Sequence, residues 1–302
     1  MSPRAKATAP SSPLVWLTRL SLDAPVVAVL WQRLFARSMK TPLSAAATAV
    51  LAMAVWLLYV FDRILDSFSA TPSEGEAPRH QFYRRHRLGF LWSVPVVLIG
   101  ASWLALTQLN RKTLLGGLLL ILAIGVYFYA VHLRQPKSER KLPKELMVAL
   151  IFAVGTCFPI WEQLQGGWPR MLAGWLIFGF LCWVNCAVIE FSEWRTARPA
   201  ELRDAPGASL GSSETWPDAP HATTQWLGRH SVAATLVTAA ASAMLALLPS
   251  SRSMGRLYGA EALAAVALMM VGSSAERMPK DLFRVMMDIA LWSPALFLLN
   301  GR

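Results

Sequence analysis

The chain has 302 residues, of which 55% are hydrophobic and 16% charged, against roughly a quarter charged in an ordinary soluble domain. With 13 Trp, 13 Phe and a mean hydropathy of +0.41, it carries more apolar surface than a soluble fold of this length can bury. Disordered, collagen-like and disulfide-scaffold chains are excluded on the same grounds, and the net charge of +11 is spread over the loops between apolar runs, where it reports on a bilayer and not on nucleic acid.

Residues 1–21 lack the apolar stretch of a signal peptide and are predicted to be a cytoplasmic tail ahead of a single membrane domain over 22–302. A bilayer core takes about 20 apolar residues per helix. Helix is required because lipid offers no partner to open backbone groups. Nine runs follow: 24–35, which Gln32 and Arg33 interrupt, then 43–61, 88–109, 114–133, 146–160, 171–189, 232–248, 257–271 and 285–299. The expected fold is therefore all-α, a multi-pass bundle of nine transmembrane helices. The longest polar stretch, 191–228, is rich in Pro, Ala, Ser and Glu and reads as a long loop within that domain. Cys157, Cys182 and Cys186 all fall inside apolar runs, with neither disulfide nor zinc-type spacing.

Nine spans place the N-terminus and the loops after the second, fourth, sixth and eighth spans on one side. That side receives twenty of the 29 Lys and Arg, the other side nine. By the positive-inside rule the richer side is cytoplasmic, so the loops between spans 2 and 3 and between spans 6 and 7 face the cytoplasm of a cell (inner) membrane.

The chain has only 18 acids, and two groups of them end membrane runs on that side. Asp62 and Asp66 close the second span in YVFDRILDSF, and a four-residue spacing puts both on one helix face if the helix runs one turn further. Glu190 and Glu193 close the sixth span in VNCAVIEFSEW, with Asn185 about a turn deeper. Oxygen ligands of this kind suit Mg²⁺ together with a substrate's phosphate oxygens, and Arg or Lys then neutralises the remaining phosphate charge. The plainer account is that acids at a helix end are solvated or paired with a neighbouring Arg. Within later spans lie Glu261, which has no assigned role, and Asp288, for which Arg284 four residues earlier offers a structural pair. The basic run RHQFYRRHR over 79–87 reads as interfacial anchoring.

Nine spans with acidic motifs ending the second and sixth resemble the UbiA superfamily of intramembrane prenyltransferases. Asp62-Arg63-Ile64-Leu65-Asp66 is similar to the second half of that family's Asn-Asp-x-x-Asp-x-x-x-Asp motif, and Asn185, Glu190 and Glu193 stand where the family has its second acidic motif. The resemblance implies Mg²⁺-dependent transfer of a prenyl group from a prenyl diphosphate to a lipophilic, often aromatic, acceptor inside the bilayer. It implies Asp62 and Asp66 as catalytic metal ligands, with Asn185, Glu190 and Glu193 completing the metal site. Arg63 is implied at the diphosphate, with Tyr129 and His132 in the place of the family's Tyr-x-x-Lys and Lys144 as a substitute cation. Leu58 and Tyr59 occupy the positions of the leading Asn-Asp, and the second motif contains no Asp. A protein of the same fold that binds or carries a prenyl lipid without turning it over is the alternative, and an unrelated transporter a further one.

Overall fold

The computed structural model describes residues 16–17, 20–69, 85–132, 143–164, 168–197, 219–248 and 253–299, without the side chains of 65–69, 87, 127, 128 and 130–132. The expected tail over 1–21 lies almost wholly outside the described residues, as do 198–218 of the long loop and 79–84 of the basic run. Among the described residues helix is the only regular structure. The elements are α1 (Asp23–Ser38), α2 (Ala45–Ser69), α3 (Arg87–Gln108), α4 (Arg111–His132), α5 (Lys144–Trp161), α6 (Trp168–Ala197), α7 (Ala222–Arg229), α8 (Ser231–Leu247), α9 (Gly255–Gly272), α10 (Lys280–Ala290) and α11 (Pro294–Leu299).

Eight of the nine apolar runs fall on one helix each, apart from 43–44 ahead of α2, the last residue of 88–109 and 232–248 in a cap and that of 114–133 outside the described residues; the ninth, 285–299, is broken by a turn at 291–293 between α10 and α11. Among the described residues six helices are long and apolar enough to cross a membrane, and seven if α7 and α8, bent by 72° at their junction, make one span. Those six are α2, α3, α5, α6, α9 and the stretch Lys280–Leu299 that joins α10 to α11. The runs 24–35 and 114–133, expected as spans, are helical in α1 and α4 without belonging to the six.

The core gathers around α6. Its Phe178 ring stacks on Trp31 of α1 with centroids 4.6 Å apart, and Phe35 meets the same ring edge-on at 5.8 Å. Trp31, Phe35, Phe178 and Leu257 are fully buried, and aromatic pairs of this geometry add about 0.5–1.5 kcal/mol beyond burial. The Trp31 indole also donates to the Leu291 carbonyl at 2.8 Å, tying α1 to the end of α10. α1 is thus an internal helix with Gln32 buried in the bundle, which explains why a run broken by polar residues is helical at all: packing and not lipid holds it. It ends in a Schellman turn, where Thr41 N–H reaches the Ala36 carbonyl at 2.9 Å and Lys40 takes the left-handed conformation.

Two faces stay open. α3 exposes Trp92, Ile99, Trp103 and Leu106, and α4 exposes Leu118, Leu119, Ile121 and Leu122. In water such a surface is a liability, whereas in hydrocarbon it is the matching solvent. At the far end of this layer Thr113 of α4 donates to the Glu162 carboxylate that follows α5.

Candidate functional site

Helix directions fix what can meet. A six-residue connection makes α1 and α2 an antiparallel pair. α1 also runs against α6, because Ala24 and Val27 lie by Cys182 and Asn185 while Trp31 and Phe35 lie by Phe178. α2 and α6 therefore run parallel, and their acid-bearing C-terminal ends emerge at the same end of the bundle.

Between these helices is a narrow cleft of about 20 Å³, room for about one water, walled by Ala24, Val27, Val148, Ala149, Phe152 and Leu291 and carrying polar groups from Tyr59, Asn185 and Asp288 together with Cys182 and Cys186. Five helices contribute: α1, α2, α5, α6 and α10, with Leu291 capping the last. Asn185 Nδ2 donates to Asp288 Oδ1 at 2.9 Å. Asn185 Oδ1, buried with its residue, has no hydrogen-bond partner among the described residues. Asp288 also lies near enough to the carboxyl of Asp23 for the two to act on one another's charge; Asp23 begins α1 and accepts from the Ala24 N–H at 3.1 Å.

About one helical turn towards the bundle end stand charged residues. Asp62 follows Tyr59 by three residues, Glu190 follows Cys186 by four, Lys144 precedes Val148 by four and Arg284 precedes Asp288 by four. At about 1.5 Å of rise per residue these charges stand roughly 5–6 Å outside the cleft. Lys144, Glu145, Glu193 and Arg284 all lie near enough to Glu190 to act on its charge. Arg284 grips Glu193 with two nitrogens, Nε to Oε1 at 2.6 Å and Nη2 to Oε2 at 2.8 Å. Glu145 accepts from the Thr224 hydroxyl at 2.8 Å, which pins α7 beside this mouth.

The expected site residues divide accordingly. α2 does run on through Ser69, so Asp62 and Asp66 share one helix face. Asp62 and Arg63 are half-buried, while the side chains of Asp66 and His132 lie outside the described residues. Asn185 lines the cleft, Glu190 is at its mouth and Glu193 is engaged by Arg284. Lys144 opens α5 at the same mouth. Tyr129 is 55% exposed on α4, a helix that packs on α5, and it does not line the cleft. Arg284 thus gives its paired hydrogen bonds to Glu193 on another helix, and not to Asp288 one turn along its own. Sequence reading missed Tyr59 and Asp288 as cleft residues, and Asp23 as a neighbour of Asp288. Tyr59 carried a signal, since it sits one turn before Asp62 on a helix expected to face a cavity. Asp23 and Asp288 are 265 positions apart in the chain, and no local pattern joins them.

The donors at the mouth are of the type Mg²⁺ takes, all carboxylate or amide oxygens. Asp62, Glu190 and the orphan Asn185 Oδ1 are the described candidates, Glu193 being occupied. No three His, Cys, Asp or Glu side chains among the described residues stand close enough to share one metal ion. No family model, no curated protein and no solved structure matches this chain.

Proposed function

We propose that the chain is a divergent nine-helix member of the UbiA superfamily that transfers a prenyl group from a prenyl diphosphate to a lipophilic acceptor within a cell membrane. The observation that carries this reading is the parallel run of α2 and α6, which delivers two acid-bearing helix ends to the mouth of one largely apolar cleft. The nine-span layout finds support in each of the nine apolar runs being largely helical among the described residues, of which six or seven are long and apolar enough to cross a membrane. In this account the charged end faces the cytoplasm, as the loop charges require.

Asp62, Asp66 and Glu190 would hold Mg²⁺, with Asn185 Oδ1 as a further oxygen ligand. Bound there, the metal supplies charge neutralisation for a departing diphosphate. The rest falls to the chain itself. Lys144, the first residue of α5, presents its ammonium beside Glu190 and draws the diphosphate to the mouth, aided by Arg63 one position past Asp62. Val27, Val148, Phe152 and Leu291 keep water from the reacting carbon, so that charge developing there meets fixed dipoles in a low-dielectric space. Asn185 is held in one orientation by its bond to Asp288, so its free oxygen is aimed before any ligand arrives.

The test is turnover. Purified protein incubated with farnesyl diphosphate, Mg²⁺ and a lipid extract should release inorganic diphosphate, and Asp62→Asn should cut that release at least 100-fold while leaving the helical circular-dichroism spectrum unchanged. Equal release by wild type and Asp62→Asn would sink the enzymatic reading.

A second reading, a protein of this fold that binds a prenyl lipid without turning it over, has its own support. Glu193 is neutralised by Arg284, and the described donors fall short of a three-carboxylate cluster. It predicts prenyl-lipid binding that needs no Mg²⁺ and survives Asp62→Asn.

A further inference from the structure

Glu261 stands far from the charged mouth and takes no part in the function proposed above. It lies in the second turn of α9 and is fully buried. Neither of its carboxyl oxygens has a hydrogen-bond or ion-pair partner among the described residues. Gly174 of α6 makes room for it: a Cβ there would stand 3.2 Å from Glu261 Oε1, 2.6 Å from Leu257 Cδ2 and 3.5 Å from Phe35 Cε1. Gly174 precedes Glu190 on α6 by sixteen residues, which is about 24 Å of rise away from the mouth. Two more buried side chains share the depth of Glu261. α9 runs parallel to α6, since its start lies by Gly174 and its last residue, Gly272, by Val188, and α1 runs against both. Glu261, one turn past Leu257, is therefore level with Gln32, one turn before Phe35. Across α5 and α6, Ala153 meets Gly179 and Trp161 meets Trp175, which puts Thr156 at the level between. Gln32 and Thr156 are fully buried, and neither the Gln32 amide nor the Thr156 hydroxyl has a hydrogen-bond partner among the described residues. Buried polar groups are rarely left so.

We infer that Glu261 is the charged ligand of a buried site for a monovalent metal cation, Na⁺, with the side-chain oxygens of Gln32 and Thr156 as its neutral ligands. An unpaired carboxylate is too costly to bury and needs a positive partner, and an acid within a membrane span is by default a functional group. Carboxylate, amide and hydroxyl oxygens are hard donors, which suit hard cations and not soft metals. One carboxylate balances one charge, whereas a divalent ion would leave a net charge in the same apolar surroundings. A proton neutralises Glu261 too, but it offers a single donor to several orphaned oxygens. The site exchanges the two, a proton taking the place of Na⁺ on the carboxyl when the ion leaves. None of the three ligands lies at the mouth, so the inference does not rest on the transferase reading.

A lipid-soluble reagent decides it. Dicyclohexylcarbodiimide adds to a protonated carboxyl, its carbon bonding to the acid's oxygen and its nitrogen receiving the acid's proton, and a metal cation on the carboxylate blocks that addition. The full-length protein in detergent is labelled in choline chloride, and the modified residue is located by peptide mass spectrometry. Glu261 is expected to react. Replacing choline with Na⁺ at equal ionic strength should slow that labelling at least tenfold, while K⁺ should leave the rate within about twofold. Gln32→Leu should raise the half-protecting Na⁺ concentration at least fivefold. Thr156→Val, which keeps the shape of the side chain, should do the same and serves if Gln32→Leu fails to fold. The inference is overturned by no reaction at Glu261 in choline, by a rate that Na⁺ leaves unchanged or that Na⁺ and K⁺ slow alike, or by protection unaltered in the variants that fold. Asp62→Asn should keep the Na⁺ protection in full, so that failure of the transferase reading and failure of this site are told apart.

Discussion

Glu193 and Arg284 expose 26% and 23% of their side chains, so their pair sits between a solvated surface contact and a dry interior one. Removing one partner of a buried pair costs about 3–5 kcal/mol because the other is left uncompensated, while exposed pairs contribute less than about 1 kcal/mol. For Arg284→Met we therefore expect a loss of about 1–3 kcal/mol, read as a lowered melting temperature. In Glu193→Gln/Arg284→Met the loss should be smaller than the sum of the single changes by about 1 kcal/mol or more, the signature of direct coupling. Strict additivity would show that the two side chains do not interact in solution. At this scale the sequence was informative about type but not about partner. Glu193 was legible as an acid at a helix end, whereas the Asp62–Asp66 spacing was informative only on condition that α2 continue beyond its apolar run, as it does through Ser69. That Arg284 reaches across to Glu193, and leaves Asp288 to Asn185, follows from the packing of α10 on α6, which no local spacing encodes.

Helices and their apolar faces were the most readable level, since a run of about 20 apolar residues has few other structural options. Less readable was which face of each helix is covered. Gly116 and Gly117 are adjacent in the sequence of α4 and equivalent to any periodicity argument, yet they differ completely in surroundings. A Cβ on Gly116 would stand 1.7 Å from the tip of the Phe158 ring on α5, while one on Gly117 meets nothing within 4 Å. Gly116→Ala must displace that ring and should cost about 1–3 kcal/mol, the usual penalty for overpacking. Gly117→Ala should be neutral or stabilise by up to about 1 kcal/mol through helix propensity. Thermal melts of the two variants side by side check this, and equal effects would mean that α4 does not pack on α5 through this face. The short α1 shows the limit of hydropathy from the other direction. Gln32 and Arg33 weakened it as a span, but what makes it helical is the burial of Trp31, Leu34 and Phe35 against α6 and its neighbours.

Across the whole molecule, the charged mouth and the α3–α4 turn lie at opposite ends, because α3 runs back along α2 after the loop that joins them. The charge asymmetry of the loops then predicts sidedness. In a background lacking Cys157, Cys182 and Cys186, Thr196→Cys should react with a membrane-impermeant maleimide only in inside-out vesicles, and Asn110→Cys only in right-side-out ones. Both reacting from one side would contradict the bundle as a membrane-crossing unit. The cleft itself was the least legible feature, for its polar groups come from α2, α6 and α10 and only folding brings Tyr59, Asn185 and Asp288 together. The central claim, that acids from α2 and α6 form one diphosphate site, is tested most directly by melting the detergent-purified protein with farnesyl diphosphate, with and without Mg²⁺, beside Asp62→Asn. A ligand at 100 times its dissociation constant stabilises by about 2.7 kcal/mol. We predict a melting-temperature rise of several degrees that needs Mg²⁺ and disappears in Asp62→Asn. A rise of the same size without Mg²⁺, or one that Asp62→Asn retains, would contradict the account.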